Sequence, residues 1–154
     1  MKIRIELEEN LSEDEVVIRC RTLTDEIGQI QNAIASVTSQ KQNFILYKED
    51  TEFYVAFEDI LFFETESNGL NAHTREDVYQ AKYRLYELEE LLPSYFLRVS
   101  KSSIVNVREI FSIQKSNLST TSVAAFENSH KQVYVSRHYA KALREKIMEV
   151  RKRR

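Results

Sequence analysis

Five short runs rich in aromatic and β-branched residues crowd into positions 44–47, 52–57, 60–64, 70–74 and 77–81. Such side chains lose freedom against the preceding turn of a helix but pack well on a pleated surface. The runs therefore predict strands, and Asn68-Gly69 between two of them predicts a tight turn. Further strands are expected at 109–113, 121–126 and 132–135. Leu85, Leu88 and Leu92 space as a short helix that Pro93 stops, and Tyr139, Leu143, Ile147 and Val150 mark a last helix. With two glycines and one proline in the whole chain, few strained turns are expected.

The first fifty residues read differently. Ile3, Ile5 and Leu7 alternate with charged residues, as in a half-buried strand, and Val16, Ile18 and Cys20 predict a second strand over 16–21. Thr24-Asp25-Glu26 opens a helix, because a hydroxyl can cap free amides and acids suit the positive end of the dipole. Ile27, Ile30, Ile34 and Val37 then form one apolar stripe, and residues 36–43 read as a polar connector. The fold class is α+β: a strand-rich domain with short helices over 50–150, preceded by a small α/β lobe (β-β-α) over 1–49 and followed by a basic tail, 151–154. Fifty residues make a marginal core, so the lobe is expected to pack on the β domain or on a second subunit.

The chain has 154 residues, 42% hydrophobic and 30% charged, the size and balance of a soluble domain. No apolar run approaches the ~18 residues of a membrane span, and the charged, alternating N-terminus is unlike a signal peptide. Cys20 is the single cysteine, which excludes an intramolecular disulfide; it is read as a core residue of a cytoplasmic protein. The net charge of −2 conceals an asymmetry. Residues 1–95 hold 9 Lys+Arg against 20 Asp+Glu, a balance of −11; residues 96–154 hold 13 against 4, a balance of +9. A basic half suggests either a polyanion partner or an internal match between two lobes.

Phe96-Leu97-Arg98-Val99-Ser100-Lys101-Ser102-Ser103-Ile104-Val105-Asn106 concentrates that charge, with three hydroxyls and two cations within positions 98–103. Donors of this kind suit phosphate oxygens better than a core. The segment has the form Phe-x-Arg-(x)3-Ser-x-Ile-Val-Asn, and there the chain resembles the LytTR family of bacterial DNA-binding domains. The resemblance extends upstream to Phe57-Glu58-Asp59-Ile60-Leu61-Phe62-Phe63-Glu64 and the leucine helix, and downstream to Val133-Tyr134-Val135-Ser136-Arg137-His138-Tyr139. It implies a β-dominated domain that reads double-stranded DNA through loops, which enter successive major grooves and the minor groove between them.

The resemblance implies three contact regions: the turn at Glu66-Ser67-Asn68-Gly69, the segment 98–103 with Lys101 facing the bases, and Arg137 before the last helix. The chemistry of each residue agrees. Arg137 can pair bidentately with guanine or enter a narrow minor groove. Lys101 offers a mobile point charge for phosphate or guanine. Ser100, Ser102 and Ser103 can donate to phosphates, though Ser102 could equally cap a short helix. Arg98 could touch DNA or brace the loop against Glu64 or another acid. The Asn68 amide can read adenine, and Asn106 is expected to fix a turn by bonding backbone. Two departures from the family pattern stand out: Arg75-Glu76-Asp77 replaces an Asp-Gly or Asn-Gly hairpin after Thr74, and Ser100 replaces a basic or histidine residue.

Nothing in the spacing supports catalysis. His73, His130 and His138 are isolated in sequence, Ser136-Arg137-His138 lacks an orienting acid, and Gly28 and Gly69 are solitary. No metal, cofactor or small-molecule substrate is expected, and the acids Glu87, Glu89 and Glu90 read as a solvated helix face. The expectation is a transcriptional regulator acting as a homodimer, with no receiver domain in the residues before 50. Two other readings remain: an interaction or ligand-sensing module of the same fold that has lost DNA binding, and an RNA-binding module. The second needs exposed aromatic rings, whereas the rings here are expected mainly in strand cores.

Overall fold

The computed structural model describes residues 7, 16–22, 24–38, 43–115 and 121–152. The chain divides into two compact units, residues 1–40 and 41–152. In the first, helix α1 (Asp25–Thr38) forms as expected, with Ile27, Ile30 and Ile34 half-buried along its stripe. The Ile27 amide donates to Thr24 Oγ1 at 3.4 Å, the predicted capping hydroxyl. The strand expected over 16–21 is not formed: these residues are exposed and adopt no regular secondary structure. Cys20 is likewise exposed rather than in a core. Alternation alone gives a strand no partner for its backbone groups, and none pairs with this one among the described residues. The strand predicted from Ile3 lies outside the described residues, apart from Leu7.

Among its described residues the second unit has ten strands. A seven-stranded sheet has the order β2-β1-β5-β4-β3-β7-β6, and β8, β9 and β10 form a three-stranded sheet ordered β10-β9-β8. The strands of the large sheet are β1 (Asn43–Lys48), β2 (Thr51–Ala56), β3 (Ile60–Glu66), β4 (Gly69–Thr74), β5 (Val78–Gln80), β6 (Phe96–Arg98) and β7 (Ser103–Asn106). Those of the small one are β8 (Ile110–Lys115), β9 (Ser122–Phe126) and β10 (Gln132–Val135). Helices α2 (Leu85–Leu91) and α3 (Arg137–Lys152) complete the unit. The sequence boundary at 49/50 cuts through this sheet: β1 pairs along its length with β2 and touches β5, so it belongs to the second unit. Arg151 and Lys152 are not tail but the last turn of α3, where cations suit the negative end of the dipole.

Strand β3 explains the architecture. Its Ile60-Leu61-Phe62-Phe63 is apolar without alternation, which a strand tolerates only when both faces are covered. Ile60 and Phe63 enter a core with Phe44, Leu46, Phe57, Leu70, Phe96 and Ile104, closed by Leu85 and Leu88 of α2. Leu61 and Phe62 enter a second core with Val99, Val105, Ala124, Phe126, Val133, Val135 and Leu143, built from the small sheet and α3. An irregularity in the β3–β4 register between Ile60 and Phe62 lets Ile60 and Phe62 face opposite cores. The phenylalanines follow the expectation of buried rings except Phe53, which is half-buried, and Phe111, which is 68% exposed. The tyrosines do not: Tyr54, Tyr83, Tyr86 and Tyr134 are exposed. Their hydroxyls make a wet position cheaper than a dry one without a partner.

Asn106 holds the two cores in register. It is fully buried; its Nδ2 donates to the Ile60 carbonyl at 3.0 Å and its Oδ1 accepts from the Arg108 amide at 3.1 Å. This is the predicted backbone-bonding role. The asparagine links the start of β3 to a 3₁₀ turn that begins at Val107.

Candidate nucleic-acid interface

The loop from β6 to β7 is built from its own side chains. Arg98 donates from Nε to the Ser100 carbonyl at 3.0 Å and from a terminal nitrogen to the Lys101 carbonyl at 2.7 Å. Its other terminal nitrogen pairs with Glu89 of α2. Only a planar fork can satisfy three acceptors in this arrangement. The bracing expected of Arg98, against Glu64 or another acid, is therefore present, and the acid is Glu89. Glu89 is accordingly an anchor rather than part of a merely solvated face.

The serines divide. Ser100 Oγ accepts from the Ser102 amide at 3.1 Å, a local turn, and lies 3.3 Å from Ser102 Oγ. No helix follows Ser102, so its capping role is not realised; its carbonyl instead accepts from the Thr65 amide of β3 at 2.8 Å. Ser103 is 1% exposed and donates its hydroxyl to Glu64 at 3.1 Å. It is committed to the sheet, and the expected phosphate contact from this hydroxyl is corrected on that ground. The arrangement projects Lys101 outward, exposed.

Arg137 is the first residue of α3 and is exposed. The preceding Ser136 amide donates to the Val99 carbonyl at 2.8 Å, so the start of α3 is tied to the β6–β7 loop. Lys141, one turn further along α3 and also exposed, was missed by sequence reasoning. The signal was the i, i+4 spacing from Arg137 on a helix already predicted. Some other cations of this unit are engaged: Arg75 pairs with Glu109, Lys48 with Asp77, Arg108 lies over the Tyr95 ring, and Lys131 donates to the Asp77 carbonyl at 2.6 Å. Burial also pulls the Lys131 ammonium below the usual lysine range. Lys101, Arg137 and Lys141 are exposed and have no acid partner among the described residues, a property they share with Lys82, Arg84, Lys115 and Lys152; what sets Lys101 and Arg137 apart is that their segments are tied together.

The third predicted region is the β3–β4 hairpin. Its two turn residues are Ser67 and Asn68, one position earlier than the Asn68-Gly69 reading, and Gly69 pairs with Glu66. Gly69 has φ of +115°, a backbone conformation that glycine adopts without steric cost. Asn68 is exposed at the tip, with its Oδ1 accepting from Asn71 Nδ2 at 2.9 Å. The hairpin after Thr74 also forms, despite lacking glycine. Thr74 Oγ1 accepts from the Asp77 amide at 3.0 Å, and the Thr74 amide donates to the Asp77 carbonyl.

His73, read as isolated, is not isolated in space. Its Nε2 lies 3.0 Å from Glu66 Oε1, and its ring stacks on Phe62 with centroids 4.2 Å apart. Burial is the main influence on the imidazole and pushes it below the ordinary histidine value.

Residues 50–148 match the family described as the LytTr DNA-binding domain. An uncharacterized HTH-type transcriptional regulator of Staphylococcus aureus (strain bovine RF122 / ET3-1) is 29% identical over 150 residues, 96% of this chain and 98% of that protein. A second of the same description, from strain NCTC 8325 / PS 47, matches at 29% over the same shares. A solved LytTr DNA-binding domain from Bacillus cereus superposes with a TM-score of 0.62 at 30% identity, covering 70% of this chain and 97% of that one.

Proposed function

The chain belongs to the LytTr DNA-binding domain family, and from that premise we propose that this DNA-binding transcriptional regulator reads duplex DNA sequence-specifically through two loops and a helix start. The supporting observation is the tie between Ser136 and Val99, which joins the segments carrying Lys101 and Arg137, both exposed and without acid partners among the described residues. Arg137 supplies the planar fork for guanine or a narrow minor groove. Lys101 and Lys141 supply point charges for phosphate or guanine. Asn68 offers its amide to a base edge, and Ser100 and Ser102 line the loop as weaker donors. Arg98 acts through the loop it holds.

The exposure of several tyrosines removes ring burial as an argument against RNA. Family membership favours DNA instead. We further propose that the protein works in the cytoplasm, without catalysis, as a homodimer joined through the lobe that carries α1. Among the described residues no helix is long and apolar enough to cross a membrane.

The test is a gel-shift series with the full chain across salt concentrations, using DNA selected from a random pool. Several lysines and arginines displacing counterions give a steep linear fall of log affinity with log salt. Absence of binding to any selected pool at low salt refutes the proposal.

A further inference from the structure

Glu64 and Glu66 stand two apart on β3 and share one face of the strand. On β4, His73 pairs across from Phe62, so it lies on that same face, diagonal to Glu64. One ligand atom from each of these three side chains lies within 4.8 Å of the other two. We propose that Glu64, Glu66 and His73 form a binding site for a divalent transition-metal ion of zinc type, seated at the base of the hairpin that carries Asn68.

The donor set selects the ion. One imidazole nitrogen and two carboxylate oxygens suit a borderline ion, whereas calcium needs six to eight oxygens and soft ions prefer thiolate. Zinc bonds to these donors are about 2.0–2.2 Å long, so ligand atoms already this close converge by small side-chain rotations. Three protein ligands leave a fourth position to solvent.

The surrounding contacts orient the ligands. Ser103, paired with Glu64 across β3 and β7, donates its hydroxyl to Glu64 Oε1. The Phe62 ring lies nearly parallel to the His73 ring, at 10°, and fixes its plane. Supporting contacts of this kind hold metal ligands in place. The Lys131 ammonium, whose field also reaches His73, opposes a cation, but two carboxylates outweigh one ammonium.

The site has a consequence for DNA that rests on the DNA-reading role proposed for the loops. Asn71, opposite Glu64, bonds the hairpin tip at Asn68. Two carboxylates behind this tip repel a polyanion, and a bound divalent ion offsets them.

Zinc titrated calorimetrically into metal-free full-length protein, without DNA, tests the site directly; cobalt absorption provides a second readout. One ion per chain is expected, with Glu66→Gln and His73→Gln each weakening affinity about tenfold or more, as disrupting an ordered metal site does. His130→Ala should leave the affinity unchanged. Glu66 is solvent-accessible, so Glu66→Gln keeps the test valid if the His73 variant fails to fold. No binding, or binding unchanged in Glu66→Gln, overturns the site. Because this titration contains no DNA, its outcome is independent of whether the DNA reading holds. In gel shifts, zinc should raise the affinity of the parent and not of Glu66→Gln; an affinity indifferent to zinc in both overturns the coupling.

Discussion

The Ser136 amide donates to the Val99 carbonyl at 2.8 Å. Through this bond the first turn of α3 and the β6–β7 loop, separated by the whole small sheet in sequence, become one surface. Arg137 follows Ser136 directly, and Lys101 follows Val99 by two residues. Arg137→Ala should cost about 1–3 kcal/mol at the cognate site and relax preference at one or two base pairs. Lys101→Ala should weaken specific binding comparably if it reads a base, or weaken all sequences uniformly and lower the salt slope by about one if it holds a phosphate. Affinity unchanged in both folded variants removes these residues from the interface.

Arg98→Lys separates bracing from contact. Lysine keeps the charge but cannot serve Glu89 and two carbonyls at once. DNA affinity should fall severalfold while the melting temperature moves only a few degrees, because the Glu89 pair is partly exposed and such pairs contribute about 0–1 kcal/mol. An affinity equal to the parent's would show that the loop does not depend on the guanidinium.

Asn106→Ala leaves the buried Ile60 carbonyl and Arg108 amide without their partner. Denaturant unfolding should show a loss of about 1–3 kcal/mol. A variant as stable as the parent would mean that water or a shifted backbone replaces both bonds.

Leu88→Ala probes the cover that α2 provides. Leu88 is fully buried against the β3 face that carries Phe63. The cavity should cost about 2–5 kcal/mol. A cost below about 1 kcal/mol, on the order of a surface substitution, would contradict α2 as the lid of that core.

The self-association proposal rests on the stripe Ile27, Ile30 and Ile34, each half-buried. Linking two DNA modules raises affinity through effective concentration without new DNA contacts. Sedimentation of the full chain should give a dimer at concentrations that bind DNA, and Ile30→Glu should shift it toward monomer. A monomeric parent well above those concentrations refutes the proposal.

Side-chain periodicity and local chemistry carry the elements whose partners lie close by or whose faces differ in polarity. The helical spacing of Leu85 and Leu88, the strand runs at 60–64 and 132–135, and the Thr24 cap are all legible in the amino-acid sequence, because each depends on neighbours within a few residues. The motif around Phe96–Arg98 likewise marks the loop and the family. Pairing across distance is not legible there. Val16, Ile18 and Cys20 alternate as well as any strand in the chain, yet no neighbouring strand satisfies their backbone among the described residues. Ser100, Ser102 and Ser103 look equivalent in sequence, and only the register of β7 against β3 places Ser103 opposite Glu64 and buries it. His73 meets Glu66 because β4 folds back on β3, seven residues away along the chain and 3.0 Å away in space. Periodicity is a property of one segment, whereas burial and ligand geometry arise only where two segments meet, so the tertiary structure alone decides them.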